Sequence, residues 1–281
     1  MKEGIGQHMQ WFAGLSLVGL AVAIFASMLV ASLLGYGARR LEQRLTVRTE
    51  KPEHSQESYL VGGMIGLLAL LLAFSFSIAL DRFDERRHLV VQEANAIGTA
   101  YLRAQMLDEP HRTRLSSLLV NYTDSRIRLA GIPPAGLNAQ LAVNDRLLTD
   151  IWAAVSASRE SALTHGISTP ILMTFNEVID LDTERKISRK LRMPNEVLQL
   201  LFGFLIVTAA VLGYVLEDRR GRIGAATLFV LLSLYVGVIA DLNRPTSGNI
   251  RESQEAMLML QASLKSQPPA AFDRYRSEAA R

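Results

Sequence analysis

Four long apolar blocks alternate with polar sequence along the chain, and this pattern indicates the class of protein. The blocks cover residues 11–36, 59–80, 197–216 and 223–240, and none of them contains Asp, Glu, Lys or Arg. A helix crosses the hydrocarbon core of a bilayer with about 20 apolar residues. The pattern therefore predicts an integral membrane protein with four transmembrane helices.

The longest polar interval lies between the second and third blocks, and its apolar positions recur with helical spacing. No proline interrupts residues 59–106, so the second transmembrane helix is predicted to continue into this insertion as one helix. Pro110 and the run 131–134 then break the pattern, and a loop is predicted at 164–170. Further helices are predicted at residues 113–129, 138–160 and 171–193.

The predicted fold is all-α, because no segment shows the alternation of a strand. It consists of four transmembrane helices with a helical insertion between the second and third. The predicted divisions are a first transmembrane helix with a basic loop (1–58), a second transmembrane helix that continues as a soluble helix (59–106), a soluble helical insertion (107–194), the third and fourth transmembrane helices (195–242) and a polar tail (243–281).

Charge and composition narrow the possible partners. The net charge of +3 is close to balance, so the chain lacks the strong basic excess of a nucleic-acid-binding surface. Basic residues gather at the ends of the apolar blocks, where lipid headgroups are the expected partners. The chain has no cysteine, which excludes disulfides, thiolate metal sites and a cysteine nucleophile.

No motif in the chain supports an enzyme, a metal site or a cofactor. The five histidines fall in five separate segments, without the spacing of a helical metal site. Acids at 180–184 are followed by bases at 185–190, which is the usual pattern of a solvated, ion-paired helix face. Gly62 and Gly63, with Gly66 shortly after, lie inside an apolar block, where small residues favour close helix packing.

The end of the second block resembles the signature of the bestrophin family, in which a phenylalanine is followed by Tyr-Asp-Arg-Trp-Trp-Glu and further arginines. The residues that carry the resemblance are Phe74, Asp81-Arg82-Phe83, Glu85 and Arg87. Leu80 and Phe83-Asp84 depart from the signature. A second similar segment, Asp241-Leu242-Asn243-Arg244-Pro245 with Gly248, follows the fourth block, and residues 93–103 resemble the bacterial members.

The resemblance implies a homo-oligomeric, pentameric anion channel of the chloride type in the bacterial inner membrane. Its second helices would line a narrow apolar neck. Phe74 matches a neck aromatic, and Leu70 and Gly66 occupy the preceding turns of the neck. The acidic run that binds calcium in animal bestrophins is missing from this chain, so the resemblance does not extend to calcium gating.

Helical spacing agrees with that assignment without requiring it. Gly66, Leu70 and Phe74 are four residues apart and so share one stripe of the second helix, whereas Leu68 lies on another face. The stripe is predicted either to line a hydrophobic constriction or to pack against other helices. The residues predicted at the helix exit, beside a vestibule, are Asp81, Arg82, Glu85, Arg86 and Arg87.

Orientation and function keep alternatives at this stage. Basic residues in the two short loops would place those loops in the cytoplasm by the positive-inside rule, whereas the resemblance implies that the insertion is cytoplasmic. The alternative function is a membrane sensor or scaffold that does not conduct ions and whose insertion binds a ligand or partner. An enzyme is the third hypothesis.

Overall fold

The computed structural model describes residues 16–45, 54–245 and 248–273, and these residues contain no β-strand. Short 3-10 turns at Pro134–Gly136 and Pro269–Phe272 accompany the α-helices. The α-helices, in chain order, are α1 (Leu17–Leu45), α2 (His54–Ala104), α3 (His111–Gly131), α4 (Leu137–Ala157), α5 (Arg159–Thr164), α6 (Ser168–Ser188), α7 (Asn195–Val215), α8 (Arg219–Leu242) and α9 (Glu255–Ser266).

The chain forms two compact units, and α2 contributes to both. The membrane unit comprises residues 1–83 and 192–251, and the insertion unit comprises residues 84–191 and 252–281. The helices long and apolar enough to cross a membrane are α1, α2, α7 and α8. The four predicted spans are therefore present in the described part of the chain, although residues 11–15 of the first one lie outside it.

The membrane unit is held together by close contact between α1 and α7. A Cβ on Gly35 would overlap the carbonyl oxygen of Ala210, and a Cβ on Gly213 would overlap the carbonyl oxygen of Ser32. Only glycine lets the two backbones approach to this distance, as in the small-residue contacts typical of membrane helices. Met28 is fully buried in the same unit.

The insertion unit has its own apolar core. Residues from the second half of α2 pack with residues from α3, α4 and α6, and the fully buried members include Ile97, Leu119, Ile151 and Phe175. Burial of each large apolar side chain contributes about 1.5–3 kcal/mol of hydrophobic free energy to folding. The insertion therefore has the contacts that stabilise a soluble helical bundle.

The segment predicted as a polar tail contributes to this core. The helix α9 lies within residues 243–281 and buries Met257 and Leu264 against the insertion bundle. One methyl group of Leu260, Cδ1, also lies 3.4 Å from the position of a Cβ on Gly98 of α2. The helix is only 12 residues long, and its polar surroundings concealed its apolar face in the sequence.

Several helix boundaries differ from the sequence prediction, and the helix predicted at 171–193 ends at Ser188. The helix predicted at 138–160 ends at Ala157, and Ser158 separates α4 from α5. The loop predicted at 164–170 is shorter, because α6 already begins at Ser168 and carries Pro170 in its first turn. Proline is tolerated there since the first-turn N–H groups have no partner within the helix.

Candidate pore and the polar networks of the two units

The membrane half of α2 has two distinct faces. Leu68, Leu72, Ser75 and Ala79 point into the core of the membrane unit, and Leu68 is only 2% exposed. On the other side, Leu70 is 52% exposed and Phe74 is 60% exposed. Gly66 is exposed on that side as well. The stripe predicted to form a neck therefore projects away from the rest of its own unit.

The glycines of this segment have no close packing partner among the described residues. A Cβ on Gly62, Gly63 or Gly66 would meet no described atom within 4 Å. No helix in the described part of the chain approaches these glycines closely. Their assignment to helix packing stays a prediction, and it now concerns contacts between copies of the chain.

The predicted helix-exit residues have different surroundings. In the membrane unit, Asp81 is exposed and Arg82 is partly buried. In the insertion unit, Glu85 and Arg87 are exposed, whereas Arg86 is 4% exposed. The Nε of Arg86 lies 2.6 Å from a carboxylate oxygen of Glu252, so this arginine anchors the segment that leads into α9.

A buried network of charges occupies the interior of the insertion unit. The Nε of Arg126 lies 2.8 Å from Glu93, and its Nη1 lies 2.9 Å from Asp182. Arg185 donates a second ion-paired hydrogen bond to Glu93. All four side chains are essentially inaccessible to solvent. The two carboxylates and two guanidinium groups compensate one another, as buried charges require.

Neutral side chains complete this network. The hydroxyl of Tyr122 donates to Glu93 at 2.6 Å, and the amide of Asn144 donates to Asp182 at 2.8 Å. Burial, followed by the negative charge of Glu93, raises the pKa of Tyr122 well above its usual value. Tyr122 is therefore a protonated donor at neutral pH.

The acid–base run of α6 is only partly the solvated face that its sequence predicts. Asp180 and Glu184 are exposed as expected, whereas Asp182 and Arg185 belong to the buried network. Helical periodicity explains the difference, because Asp182 and Arg185 share the inward face of α6 with the core residue Val178. Among the described residues, no group of three His, Asp or Glu side chains is placed to hold a metal ion.

The segment after the fourth transmembrane helix is organised by two side chains. The carboxylate of Asp241, 3% exposed, accepts hydrogen bonds from the backbone N–H groups of Asn249 and Ile250 at 2.8–3.0 Å. The side-chain oxygen of Asn243 accepts from the backbone N–H of Met193 at 2.7 Å. Both residues therefore fix loop conformation in the membrane unit, which explains why a polar motif follows an apolar helix.

Together, the four apolar helices, the outward apolar stripe and the separately folded helical insertion define a multi-span α-helical membrane protein. A bestrophin-like domain model matches residues 25–257, which is most of the chain. The chain belongs to the bestrophin-like family. No curated protein sequence matches it.

Solved structures support the fold. A crystal structure of a bacterial bestrophin homologue from Klebsiella pneumoniae, carrying a single substitution, matches with a TM-score of 0.63 and 16% identity, over 87% of this chain and 97% of that one. Another crystal structure of the Klebsiella pneumoniae homologue, phased with zinc, matches with a TM-score of 0.58 and 17% identity, over 87% and 97% of the two chains. The resemblance found at Phe74 and Asp81-Arg82 is confirmed at the level of family and fold.

Proposed function

We propose that this membrane protein is an oligomeric anion channel in which the membrane half of α2 supplies the wall of a narrow apolar neck. The observation that carries the proposal is the exposed stripe of Gly66, Leu70 and Phe74, which lies opposite the buried face of the same helix. A ring of such stripes forms a hydrophobic constriction that gates by wetting and drying.

The small residues of α2 support an oligomer over a face that merely contacts lipid. Gly62, Gly63 and Gly66 offer an outward surface without side chains, and nothing in the described chain fills the space beside them. In membranes, such surfaces favour direct contact between helix backbones. Copies of α2 can therefore converge closely, which a narrow neck requires.

Charged groups near the end of this helix segment suit an anion path. Arg87 and Arg82 are basic side chains with access to solvent, and positive groups near a pore exit raise the local concentration of anions. Asp81 and Glu85 are also exposed and oppose this effect. The selectivity of the proposed channel therefore depends on which of these groups face the axis of the oligomer.

Chloride flux from proteoliposomes tests the proposal. Phe74→Ala removes the bulkiest side chain of the stripe, so the constriction should wet more easily and flux should rise above that of the wild type. Phe202→Ala is the matched control, because Phe202 is an exposed aromatic residue on a different transmembrane helix, α7. Flux through the control should equal that of the wild type.

The size of the oligomer is measured for each protein before its flux is compared. If wild-type protein and Phe74→Ala both fail to conduct while remaining intact oligomers, the channel proposal is wrong. An equal increase in Phe74→Ala and Phe202→Ala would show that helix destabilisation, and not a neck, controls the flux.

One feature favours the alternative of a sensor or scaffold. The insertion unit contains an open groove of about 930 Å³ between α2 and α6, lined by polar side chains that include Asn95, Arg103, Asn176 and Glu177. A groove of this size accommodates a small ligand. Failure of the flux test in intact oligomers would make this groove the leading functional site.

Membrane topology follows from the number of spans. We place the insertion in the cytoplasm, at the inner membrane, on the strength of the family resemblance alone. Four crossings put the insertion and the α7–α8 loop on opposite sides, so Ser156→Cys and Arg220→Cys should be labelled by an impermeant thiol reagent from opposite faces. Because the natural chain has no cysteine, each variant carries a single reactive thiol. Labelling of both from one face would contradict the four-span topology.

A further inference from the structure

Two consecutive arginines near the end of α1 have opposite surroundings. Arg39 is buried in the membrane unit, where it lies 3.0 Å from a carboxylate oxygen of Glu57 and 3.0 Å from one of Glu217. Its guanidinium carbon is also 5.0 Å from the centre of the Tyr214 ring. The charge of Arg39 is therefore fully compensated by groups of its own chain.

Arg40 is exposed and has an aromatic ring as its partner instead of a carboxylate. Its guanidinium carbon lies 4.8 Å from the centre of the Tyr36 ring, and the guanidinium carbon of Arg222, from the first turn of α8, lies 5.2 Å from the same ring. No carboxylate or carbonyl of the described residues accepts a hydrogen bond or ion pair from either guanidinium.

The positive charges of Arg40 and Arg222 are not balanced by a carboxylate among the described residues. The two guanidinium carbons are at most about 10 Å apart, because both lie close to one ring centre. Like charges at that separation repel, and a cation–π contact at an exposed site returns only about 0.5–1 kcal/mol. Guanidinium groups bind phosphate oxygens through paired, charge-assisted hydrogen bonds, and neither of these two has a carboxylate partner among the described residues.

We propose that Tyr36, Arg40 and Arg222 form a binding site for the phosphodiester headgroup of an anionic phospholipid. Tyr36 positions the two guanidinium groups, and each donates hydrogen bonds to phosphate oxygens. The position in the fold favours a lipid over a soluble phosphate, since the site lies at the ends of two transmembrane helices, α1 and α8. There, aromatic and basic side chains meet the headgroup layer.

The site differs from ordinary interfacial arginines in being built around one ring. An arginine that merely extends to the interface needs no fixed neighbour; Arg44, one turn further along α1, is exposed and has no partner among the described residues. The proposal therefore predicts that the binding of anionic lipid depends on Tyr36 as well as on charge. It does not depend on conduction, so its failure and failure of the channel proposal are separate results.

Thermal unfolding of the detergent-solubilised full chain tests the site. Phosphatidylglycerol should raise the Tm of the wild type by several degrees, whereas phosphatidylcholine at the same concentration should not. Arg40→Gln with Arg222→Gln, and separately Tyr36→Leu, should remove most of this shift. Arg44→Gln should retain it, and Arg40→Lys with Arg222→Lys should retain only part of it, since lysine binds phosphate without the planar fork.

Three results would overturn the assignment. An equal phosphatidylglycerol shift in the wild type and in the doubly substituted Arg→Gln variant would show that the lipid binds elsewhere. A shift that Tyr36→Leu leaves intact would reduce the site to nonspecific surface charge. A full shift produced by inorganic phosphate or glycerol phosphate alone would assign the site to a soluble anion. If the Arg→Gln variant does not fold, the Arg→Lys and Tyr36→Leu proteins decide between the same outcomes.

Discussion

Each half of α2 buries one face and exposes the other, but the two halves are suited to different solvents. In the membrane half, the buried face carries aliphatic and small residues, and the exposed face is apolar too, with Leu70 and Phe74 at 52% and 60% exposure. In the insertion half, the buried face includes the charged Glu93, and the exposed face carries polar residues such as Gln92 and Asn95.

The difference shows which features of one helix are set by its surroundings. Water favours polar residues on an exposed face, although the insertion half also exposes the apolar Val91 and Leu102. Lipid imposes no such requirement, so an outward apolar stripe in the membrane half is equally compatible with lipid and with a dry pore. A comparison of substitutions on opposite faces of α2 is therefore more informative than one substitution alone.

The buried charges of the insertion half give the largest expected effect. Glu93→Gln preserves side-chain shape but leaves the buried Arg185 without its carboxylate partner and Arg126 paired with Asp182 alone, which should cost about 3–5 kcal/mol of unfolding free energy. Glu177→Gln, at an exposed position of α6, is the matched control and should cost less than about 0.5 kcal/mol. Chemical denaturation monitored by circular dichroism measures both. Similar values for the two variants would mean that the buried network does not stabilise the bundle.

The two faces of the membrane half are compared with one residue type. Leu68→Ala removes a buried side chain and should lower the unfolding free energy by about 2–5 kcal/mol, whereas Leu70→Ala, at an exposed position, should leave it almost unchanged. Thermal unfolding in detergent provides the measurement. A large loss of stability in Leu70→Ala alone would place Leu70 in a packed contact within the isolated chain, against the assigned face.

Backbone contact in the membrane unit should be sensitive to a single methyl group. Gly213→Ala forces α7 away from the Ser32 carbonyl of α1, and overpacking of this kind costs about 1–3 kcal/mol. Gly203→Ala on the same helix meets nothing within 4 Å and should be neutral or slightly stabilising, because alanine favours helix. Equal melting temperatures for the two variants would show that α1 and α7 are less closely packed.

The smallest expected effect concerns an exposed ion pair of the insertion unit. Burial opposes ionisation of Glu109, but the hydrogen bonds from Arg112 and Thr113 and the charge of Arg112 together outweigh it and lower the pKa of this carboxyl. A lowered pKa in the folded state adds stability above the unfolded-state value, and that stability is lost as the pH falls through the folded-state value. Glu109→Gln should therefore slightly reduce the acid sensitivity of unfolding. The change should be at most about 1 kcal/mol, since Glu109 is partly exposed.

The parts of the fold that depend on hydrophobic periodicity and on the length of apolar segments could be predicted from the sequence. The four apolar blocks and the continuous α2 follow from about 20 apolar residues per span and from the absence of proline, and the structure confirms the all-α class. The family was predicted from Phe74 and Asp81-Arg82 and is confirmed by the match over residues 25–257.

Features that depend on contacts distant in sequence could not be predicted. Glu93, Arg126 and Asp182 lie on three different helices, so their pairing requires the tertiary arrangement, and Asp182 alone resembles a surface acid. Gly35 and Gly213 lie in apolar blocks, as do Gly62, Gly66 and Gly203, beside which a Cβ would meet no described atom within 4 Å. The helical periodicity of α6, which places 178, 182 and 185 on one face, was the one available signal for the buried network.

Cross-linking between copies of the chain tests the central claim, that the outward face of α2 surrounds the axis of an oligomer. Phe74→Cys and Leu33→Cys create single thiols at positions that are each 60% exposed, on α2 and α1 respectively. If α2 helices converge on a neck, a short bismaleimide, which joins one thiol to one other, should link Phe74→Cys protein into covalent dimers and leave Leu33→Cys protein monomeric in denaturing gels. Phe74→Cys protein that stays unlinked within intact oligomers would contradict the account.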